Sequence, residues 1–298
     1  MLDDRLEIFF GEANNAAARV YARLLDEDLT DNSRLTGRVI GPTCPYSQTL
    51  SATIPLRAKS AGVSAGGALL AEAVVPDPCF WTTELPFLYR VELQVRQGDQ
   101  VLASAQRLLG IRRMGTHRRR LLFEGRGWVA RGVDVREVPE RPLADWRAAD
   151  LAMIVEQPDD ELCAEASRLG VLLIAELAGE GESLAAELRR LARWPAVAMV
   201  VLPAGAGFDW ASPRAARNLL VGQRVQGSGF RVQDFKTDVL VCEGETAERI
   251  AAMASDASVP VIAWRRAGWH DELADARREC DLLQRDLAEL GEFAGFLV

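Results

Sequence analysis

Residues 151–177 read LAMIVEQPDDELCAEASRLGVLLIAEL and contain two apolar runs separated by an amphipathic stretch. The runs at 151–156 and 171–177 have the length of buried strands, and residues 159–169 between them have helical periodicity. This order is typical of a βαβ unit, in which two parallel strands are joined by a helix that covers the sheet.

The same alternation extends over residues 114–298 and supplies eight strand candidates, at 129–135, 151–156, 171–177, 197–202, 219–225, 239–243, 259–264 and 293–298. Further helices are predicted at 182–193, 246–254 and 270–290, and the Gly-rich segment 226–236 predicts a loop. Eight parallel strands close a (β/α)8 barrel, so we expect a short barrel. The alternative is an open doubly wound sheet, in which 219–225 or 293–298 is not a strand.

Residues 1–113 have a different pattern, in which short segments rich in β-branched and aromatic residues alternate with turns. Strands are predicted at 6–10, 17–24, 50–56, 89–95 and 101–109, with a hairpin turn at 96–100. The sequence therefore predicts an antiparallel sandwich domain over 1–113 and a barrel domain over 114–298.

Composition excludes several classes of protein. The chain has 298 residues, of which 49% are hydrophobic and 26% charged, and its formal net charge is −8. An acidic chain repels phosphate backbones, so we expect no nucleic-acid partner. No apolar run approaches the roughly 20 residues that cross a bilayer, which argues against a membrane partner, and the acidic N-terminus does not resemble a signal peptide, so a cytoplasmic location is expected.

Cofactor and metal chemistry find no support in the sequence. The five cysteines form no C-x-x-C pair, and we expect them to be reduced and mostly buried. With only two histidines, no His/carboxylate spacing suggests a metal centre, and no phosphate- or dinucleotide-binding motif occurs. The prediction is a protein without cofactors.

Three motifs, in this order along the chain, resemble glycoside hydrolase family 2, the β-galactosidase and β-glucuronidase group. They are FWTTELPFLYRV at residues 80–91, LGIRR at 109–113 and RLLFEGRGWVARGVD at 120–134. The resemblance implies an immunoglobulin-like β-sandwich followed by a trimmed TIM barrel, without the N-terminal jelly-roll domain of full-length members.

The resemblance also indicates where catalytic glutamates are expected. Such enzymes retain configuration with two glutamates about 5–5.5 Å apart, one as acid/base and one as nucleophile. The acid/base position corresponds to Gly205, and the nucleophile position corresponds to Arg265. Two further motif positions, Met153 and Glu156, also differ from the family pattern. These departures predict a pseudo-glycosidase with no catalytic residues at the family positions.

The predicted strand ends still carry charged and aromatic residues, and barrels keep their sites at this end. The candidate cleft residues are Asp134, Glu156, Glu176, Glu243, Arg265, Arg266 and Trp264, with Trp210 and Trp269 nearby. One interpretation is a polar cleft that holds a sugar or another polyol, and the other is a set of ion pairs that closes a vestigial barrel.

Two functions remain open at this stage. The first is a non-catalytic scaffold that binds a carbohydrate or a protein. The second is an active β-glycosidase with relocated carboxylates, Glu176 and Glu243.

Overall fold

The structure is a computed structural model that describes residues 5–25, 29–30, 32–59, 68–179, 181–203, 218–226, 237–266 and 268–298. The chain divides into two compact units. The first comprises Met1–Arg112 with Arg193–Pro195, and the second comprises Arg113–Ala192 with Ala196–Val298.

The first unit is an antiparallel β-sandwich of seven strands. They are β1 (Leu6–Ala13), β2 (Ala17–Leu25), β3 (Ser33–Thr43), β4 (Ala52–Ala58), β5 (Ala68–Pro76), β6 (Leu88–Gln97) and β7 (Gln100–Leu109). Their order in the sheet is β1-β2-β5-β4-β3-β6-β7. Residues 52–56 of β4 pair with β3, whereas Arg57 and Ala58 pair with β5, so β4 connects the two halves of one curled sheet.

The sandwich core follows from the alternation of side chains along each strand. In β2 the alternate residues Ala18, Val20, Ala22 and Leu24 are buried, because successive side chains of a strand point to opposite faces. Buried residues of β1 to β7 form one hydrophobic cluster inside the curled sheet. The predicted antiparallel sandwich is therefore confirmed.

Two of the seven strands were not expected from the sequence. Strand β3 contains Gly37, Gly41 and Pro42, which are poor strand formers, and β5 is rich in alanine. Both are central strands that tertiary pairing holds in place. The predicted hairpin is confirmed, since β6 and β7 are joined through Gly98, which has φ +56°.

The second unit begins with a small antiparallel sheet, here called the basic sheet, made of β8 (Met114–His117), β9 (Arg120–Phe123) and β10 (Arg126–Trp128). The turn between β8 and β9 includes Arg118 at φ +53°, and the turn between β9 and β10 consists of Glu124 at +53° and Gly125 at +74°. Two-residue turns with positive φ match the right-handed twist of hairpin strands.

A closed parallel barrel of eight strands follows. The strands are β11 (Ala130–Asp134), β12 (Ala152–Glu156), β13 (Leu173–Glu176), β14 (Val197–Leu202), β15 (Leu220–Gln226), β16 (Val239–Glu243), β17 (Val261–Trp264) and β18 (Gly295–Leu297). All eight predicted strands are present, and β18 pairs with both β11 and β17. The TIM-barrel prediction is confirmed, and the open-sheet alternative is wrong because β15 and β18 are both strands of the closed barrel.

The described helices of this unit are α1 (Leu143–Ala149), α2 (Asp160–Leu169), α3 (Gly181–Leu191), α4 (Ala247–Ala254) and α5 (Leu273–Leu287), with a 3-10 helix at Val135–Glu137. The side chain of Asp159 caps α2 by accepting a hydrogen bond from the backbone N–H of Leu162. Helix α1 is a short element of about two turns that the sequence pattern did not predict. The predicted loop at 226–236 lies outside the described residues except for Gln226.

Burial of the cysteines agrees with the sequence prediction. Cys163, Cys242 and Cys280 are buried, Cys44 and Cys79 are partly buried, and all five are free thiols. Burial raises the pKa of Cys163 and Cys242 to about 12 and that of Cys280 to about 11. Within the described part of the chain, every helix is too short or too polar to cross a membrane.

Candidate functional site

Most of the predicted cleft residues are the last residues of barrel strands. Asp134, Glu156, Glu176 and Glu243 end β11, β12, β13 and β16, and Trp264 ends β17. Glu156 pairs in register with Glu176, and Glu243 with Trp264. Because the strands are parallel, these ends meet at one end of the barrel.

Arg136 lies two residues after β11 and binds three of these carboxylates. Its Nη2 atom is 2.6 Å from Oδ2 of Asp134 and 3.3 Å from Oε2 of Glu176, and its Nη1 atom is 3.1 Å from Oε2 of Glu156. Oδ1 of Asp134 also accepts a hydrogen bond from the backbone N–H of Arg136. The Asp134 side chain is only 2% exposed, so these bonds replace the water that its charge would otherwise bind.

Arg224 of β15 and Arg266 after β17 complete the arrangement. Arg224 contacts Glu176 through Nη2, and its Nε atom is 3.5 Å from Oε2 of Glu243. Arg266 places Nε at 2.8 Å from Oε1 of Glu243 and Nη1 at 3.6 Å from Oδ2 of Asp134. Three cations and three anions thus alternate around a closed circuit, here called the mouth ring, formed by Asp134, Arg136, Glu176, Arg224, Glu243 and Arg266.

Trp264 lies beneath two guanidinium groups of the mouth ring. The Cζ atoms of Arg224 and Arg266 are 4.7 Å and 4.9 Å from the centroid of the indole ring, within the range of cation–π interactions. Trp264 has no exposed surface. Its ring is therefore not available to stack on a sugar in this conformation.

The electrostatics of the mouth ring favour the ionised form of two of its carboxylates, Asp134 and Glu243. Burial is the largest effect and raises the pKa of Asp134 and of Glu243. The hydrogen bonds and charges of Arg136 and Arg266 around Asp134, and those of Arg266, Gln226 and Arg224 around Glu243, together lower it more, so both pKa values lie below the usual range. For Arg224 the effect of burial is larger than that of Glu243, and its pKa is lowered. A glycosidase needs one carboxylic acid whose pKa is raised, and these two carboxylates show the opposite shift.

Glu137 is a carboxyl group whose pKa is raised, first by burial and then by the charge of Asp134. Its Oε2 atom is buried, and no described residue donates a hydrogen bond to it. The backbone carbonyl of Glu137 accepts a hydrogen bond from the backbone N–H of His270. Glu137 does not line the cleft described below, so its proton is not presented to a ligand there.

Arg265 does not lie in the cleft, which corrects the sequence prediction. Its Nη1 atom is 2.8 Å from Oδ2 of Asp286, and its Nη2 atom is 3.5 Å from Oε2 of Glu279, both on α5. The reason is the alternation of side chains along an extended chain. Trp264 is buried under the mouth ring, so Arg265 faces the outer helix and Arg266 returns to the ring.

A small cleft opens beside the mouth ring. Its volume is about 180 Å³, and its charged lining consists of Arg136, Glu156, Glu176, Arg224 and Arg266. Ligand sites for drug-sized molecules usually measure about 300–1,000 Å³ and are mainly apolar. The described part of this cleft is smaller and far more polar.

Other candidates lie away from the cleft or outside the described residues. Trp269 is 62% exposed, and its Nε1 atom donates a hydrogen bond to Asp271. Gly205, the family acid/base position, and Trp210 both lie outside the described residues. Among the residues that the structure does describe, no cluster of His, Cys, Asp and Glu could hold a metal ion.

Arg136 and Arg224 are the mouth-ring residues that the sequence prediction missed. Arg224 gave a usable signal, since it is a charged residue within a strand whose other residues are nearly all buried. Arg136 follows β11 in a 3-10 turn, and its role depends on a turn geometry that sequence periodicity does not report.

The fold and site define a class of protein, namely a β-sandwich joined to a (β/α)8 barrel whose strand ends form a charged mouth. Residues 9–112 match the family model described as glycosyl hydrolases family 2. Solved structures that share the fold include β-glucuronidases and a putative β-galactosidase. The predicted resemblance of the chain to glycoside hydrolase family 2 is therefore confirmed.

Three solved structures illustrate the likeness. β-Glucuronidase from Parabacteroides merdae has a TM-score of 0.62 at 13% identity, over 98% of this chain and 46% of that chain. A β-glucuronidase from Bifidobacterium dentium, complexed with coumarin-3-O-glucuronide, has a TM-score of 0.63 at 11% identity, over 98% of this chain and 59% of that chain. A putative β-galactosidase from Bacteroides fragilis has a TM-score of 0.61 at 12% identity, over 99% and 54%.

The low identity and the partial coverage mean that the likeness concerns the fold and not the activity. The chain spans about half the length of the solved structures that it matches. No curated protein sequence matches it significantly. The likeness to solved structures establishes the fold, and any activity has to be argued from the residues of this chain.

Proposed function

We propose that this chain is a catalytically degenerate relative of family 2 glycosidases that acts as a non-catalytic binding scaffold for a protein or a carbohydrate. The observation that carries the proposal is the mouth ring, in which each carboxylate is bound by arginine. Such a ring stabilises the end of a barrel but leaves no carboxylate prepared for bond cleavage.

The chemical requirement is specific. Retaining hydrolysis needs one carboxylate that can approach the anomeric carbon and one carboxylic acid that can protonate the leaving oxygen. In this chain the family nucleophile position is Arg265, which binds acids of α5. Its guanidinium cannot act as a nucleophile, and the family acid/base position, Gly205, has no side chain at all.

The alternative of relocated carboxylates receives less support. Glu176 and Glu243 both contact Arg224, so a positive charge lies between them where a developing oxocarbenium ion would need negative charge. Of the two, only Glu176 lines the cleft. A substrate would first have to displace Arg224 from both partners.

Between the two classes of ligand, the described mouth favours a protein partner. The cleft volume of about 180 Å³ is small for a sugar chain, and Trp264 is covered. A protein partner does not need an open cleft, because a standard protein–protein interface uses about 800 Å² of outer surface from each partner.

The direct test is hydrolysis of 4-nitrophenyl β-galactoside, β-glucuronide and β-mannoside by the purified chain. We expect no turnover above the blank, while an active family 2 β-glucuronidase assayed in parallel cleaves its substrate. Glu176→Gln, Glu243→Gln and Glu137→Gln are assayed beside Glu165→Gln, which changes an exposed acid of α2. Turnover that disappears in one of the first three variants but persists in Glu165→Gln would overturn the proposal.

A further inference from the structure

The basic sheet has a charge opposite to that of the rest of the chain. Residues 114–128 contain four arginines and one glutamate, a net charge of +3, whereas the whole chain carries −8 and the remainder therefore −11. Clustered arginines on one small element create a local positive potential that a neighbouring anion experiences within about one Debye length, roughly 8 Å at physiological salt.

Three consecutive arginines of this sheet lie at the turn between β8 and β9. Arg118 and Arg120 are exposed and Arg119 is partly buried. Arg120 pairs with Glu292 at 3.2 Å, but the two side chains are 73% and 51% exposed, so water competes for that pair. No described acid pairs with Arg118 or Arg119, and the Nε atom of Arg119 is buried without a hydrogen-bond acceptor among the described residues.

The face of the sheet beside this turn is open. Gly115, Leu122 and Gly127 lie opposite one another across the three strands, so they share one face. A Cβ atom built on Gly115 or Gly127 would meet no heavy atom within 4 Å. His117 and Arg120 form the next pair on the same face, and both are exposed.

We propose that the basic sheet is a docking surface for an acidic segment of a partner protein. The arginine turn supplies the charge, and the Gly115–Leu122–Gly127 row leaves room for an extended backbone to lie across the strands. A long polyanion fits less well, because the rest of the chain carries −11 and repels the parts of the polyanion that extend beyond the sheet. The inference goes beyond the proposed function and does not depend on the loss of catalysis.

The test uses the full chain and a fluorescein-labelled octaglutamate peptide, with binding followed by fluorescence anisotropy at about 50 mM and about 150 mM salt. We expect binding that weakens with salt and that falls at least about tenfold in Arg118→Glu/Arg119→Glu/Arg120→Glu, because rim charges control attraction to the partner. The charge-preserving variant with lysine at the same three positions keeps affinity within about threefold of the wild type.

The matched control makes the same change in net charge elsewhere, at Arg34, Arg189 and Arg249, which are exposed on other elements. Arg34→Glu/Arg189→Glu/Arg249→Glu should keep most of the affinity. An equal loss in this control, or no binding by the wild type at the lower salt, would overturn the proposal. Tighter binding of a heparin tetrasaccharide than of octaglutamate would also overturn it, as would self-association that the basic-sheet variant abolishes.

Discussion

Arg224→Met is the substitution that tests most directly whether the mouth ring stabilises the barrel. Methionine keeps much of the aliphatic volume of arginine and removes the guanidinium group. The change removes the contacts to Glu176 and Glu243 and one of the two cations near Trp264. The side chains of Glu176 and Glu243 are only 10% and 14% exposed, so water cannot fully replace what they lose.

The magnitude follows from what remains around each acid. Removing one partner of a buried ion pair costs roughly 3–5 kcal/mol when the other charge is left alone. Here Glu176 keeps Arg136 at 3.3 Å, and Glu243 keeps Arg266 at 2.8 Å. We therefore expect Arg224→Met to lower the free energy of unfolding by about 2 kcal/mol, which lowers the Tm of a unit of this size by about 4–8 °C.

The assay is urea unfolding, monitored by hydrogen exchange in peptides that cover β16 and β17. This local readout is needed because a chain of two units does not always unfold in one step. Arg168→Met is the matched control, since it removes an exposed pair with Glu165 at 2.6 Å on α2. We expect it to cost less than about 0.5 kcal/mol. Adding Glu176→Gln to Arg224→Met should recover part of the loss, as the two side chains interact directly.

If Arg224→Met lost no more unfolding free energy than Arg168→Met, the reasoning would be refuted, because solvent would then already screen the mouth ring. Full additivity of Arg224→Met and Glu176→Gln would refute it as well. In either case the ring would be a weak surface feature, and the main support for the proposed function would disappear.

Three other predictions follow from the same contacts. The pKa values of Asp134 and Glu243 are lowered, so the stabilisation from these carboxylates is present above their unfolded pKa values of about 4 and is lost as the pH falls through the folded values. Glu243→Gln should therefore lose stability less steeply than the wild type below pH ~4 in an acid titration. An unchanged slope would contradict this. Arg265→Glu should produce no glycosidase activity and should cost about 1 kcal/mol, because it places an acid beside Asp286 and Glu279 on α5; a gain of turnover or of Tm would show that the reasoning is wrong. Iodoacetamide should label at most two thiols of the native chain and five after denaturation, as measured by intact mass. The reason is that the thiols of Cys163, Cys242 and Cys280 are buried and have raised pKa values. Rapid labelling of a third thiol in the native chain would contradict this.

The barrel was predictable from the sequence because its strands are buried on both faces. Such strands appear as continuous apolar runs, as in β14, where all six residues are buried. The sandwich was harder to predict. The β3 strand contains glycines, and Gly37 approaches the backbone of Glu92 so closely that a Cβ atom would collide with it. That close approach is a tertiary requirement that local propensity does not report.

The candidate site was predictable only in its residue types and strand positions. The sequence placed Asp134, Glu176 and Glu243 at strand ends, and the structure brings them to one circuit. The sequence did not determine whether Arg265 or Arg266 would reach the mouth, because a shift of one residue reverses the direction of a side chain. It also gave no weight to Arg136, whose guanidinium reaches the ring from a 3-10 turn.

The composition of the mouth ring links the proposed loss of catalysis to the stability of this barrel. Catalytic sites usually retain strained or unpaired charges at a cost in stability. Here the three acids of the ring are balanced by three arginines, so the ring itself carries no net charge. Glutamates at positions 265 and 205 are therefore not expected to be sufficient for glycosidase activity. Arg136, Arg224 and Arg266 would still bind the carboxylates of the ring. Arg265→Glu/Gly205→Glu should therefore remain inactive toward 4-nitrophenyl β-glycosides and should melt below the wild type, whereas turnover without loss of stability would show that the mouth is an intact active site lacking only its two glutamates.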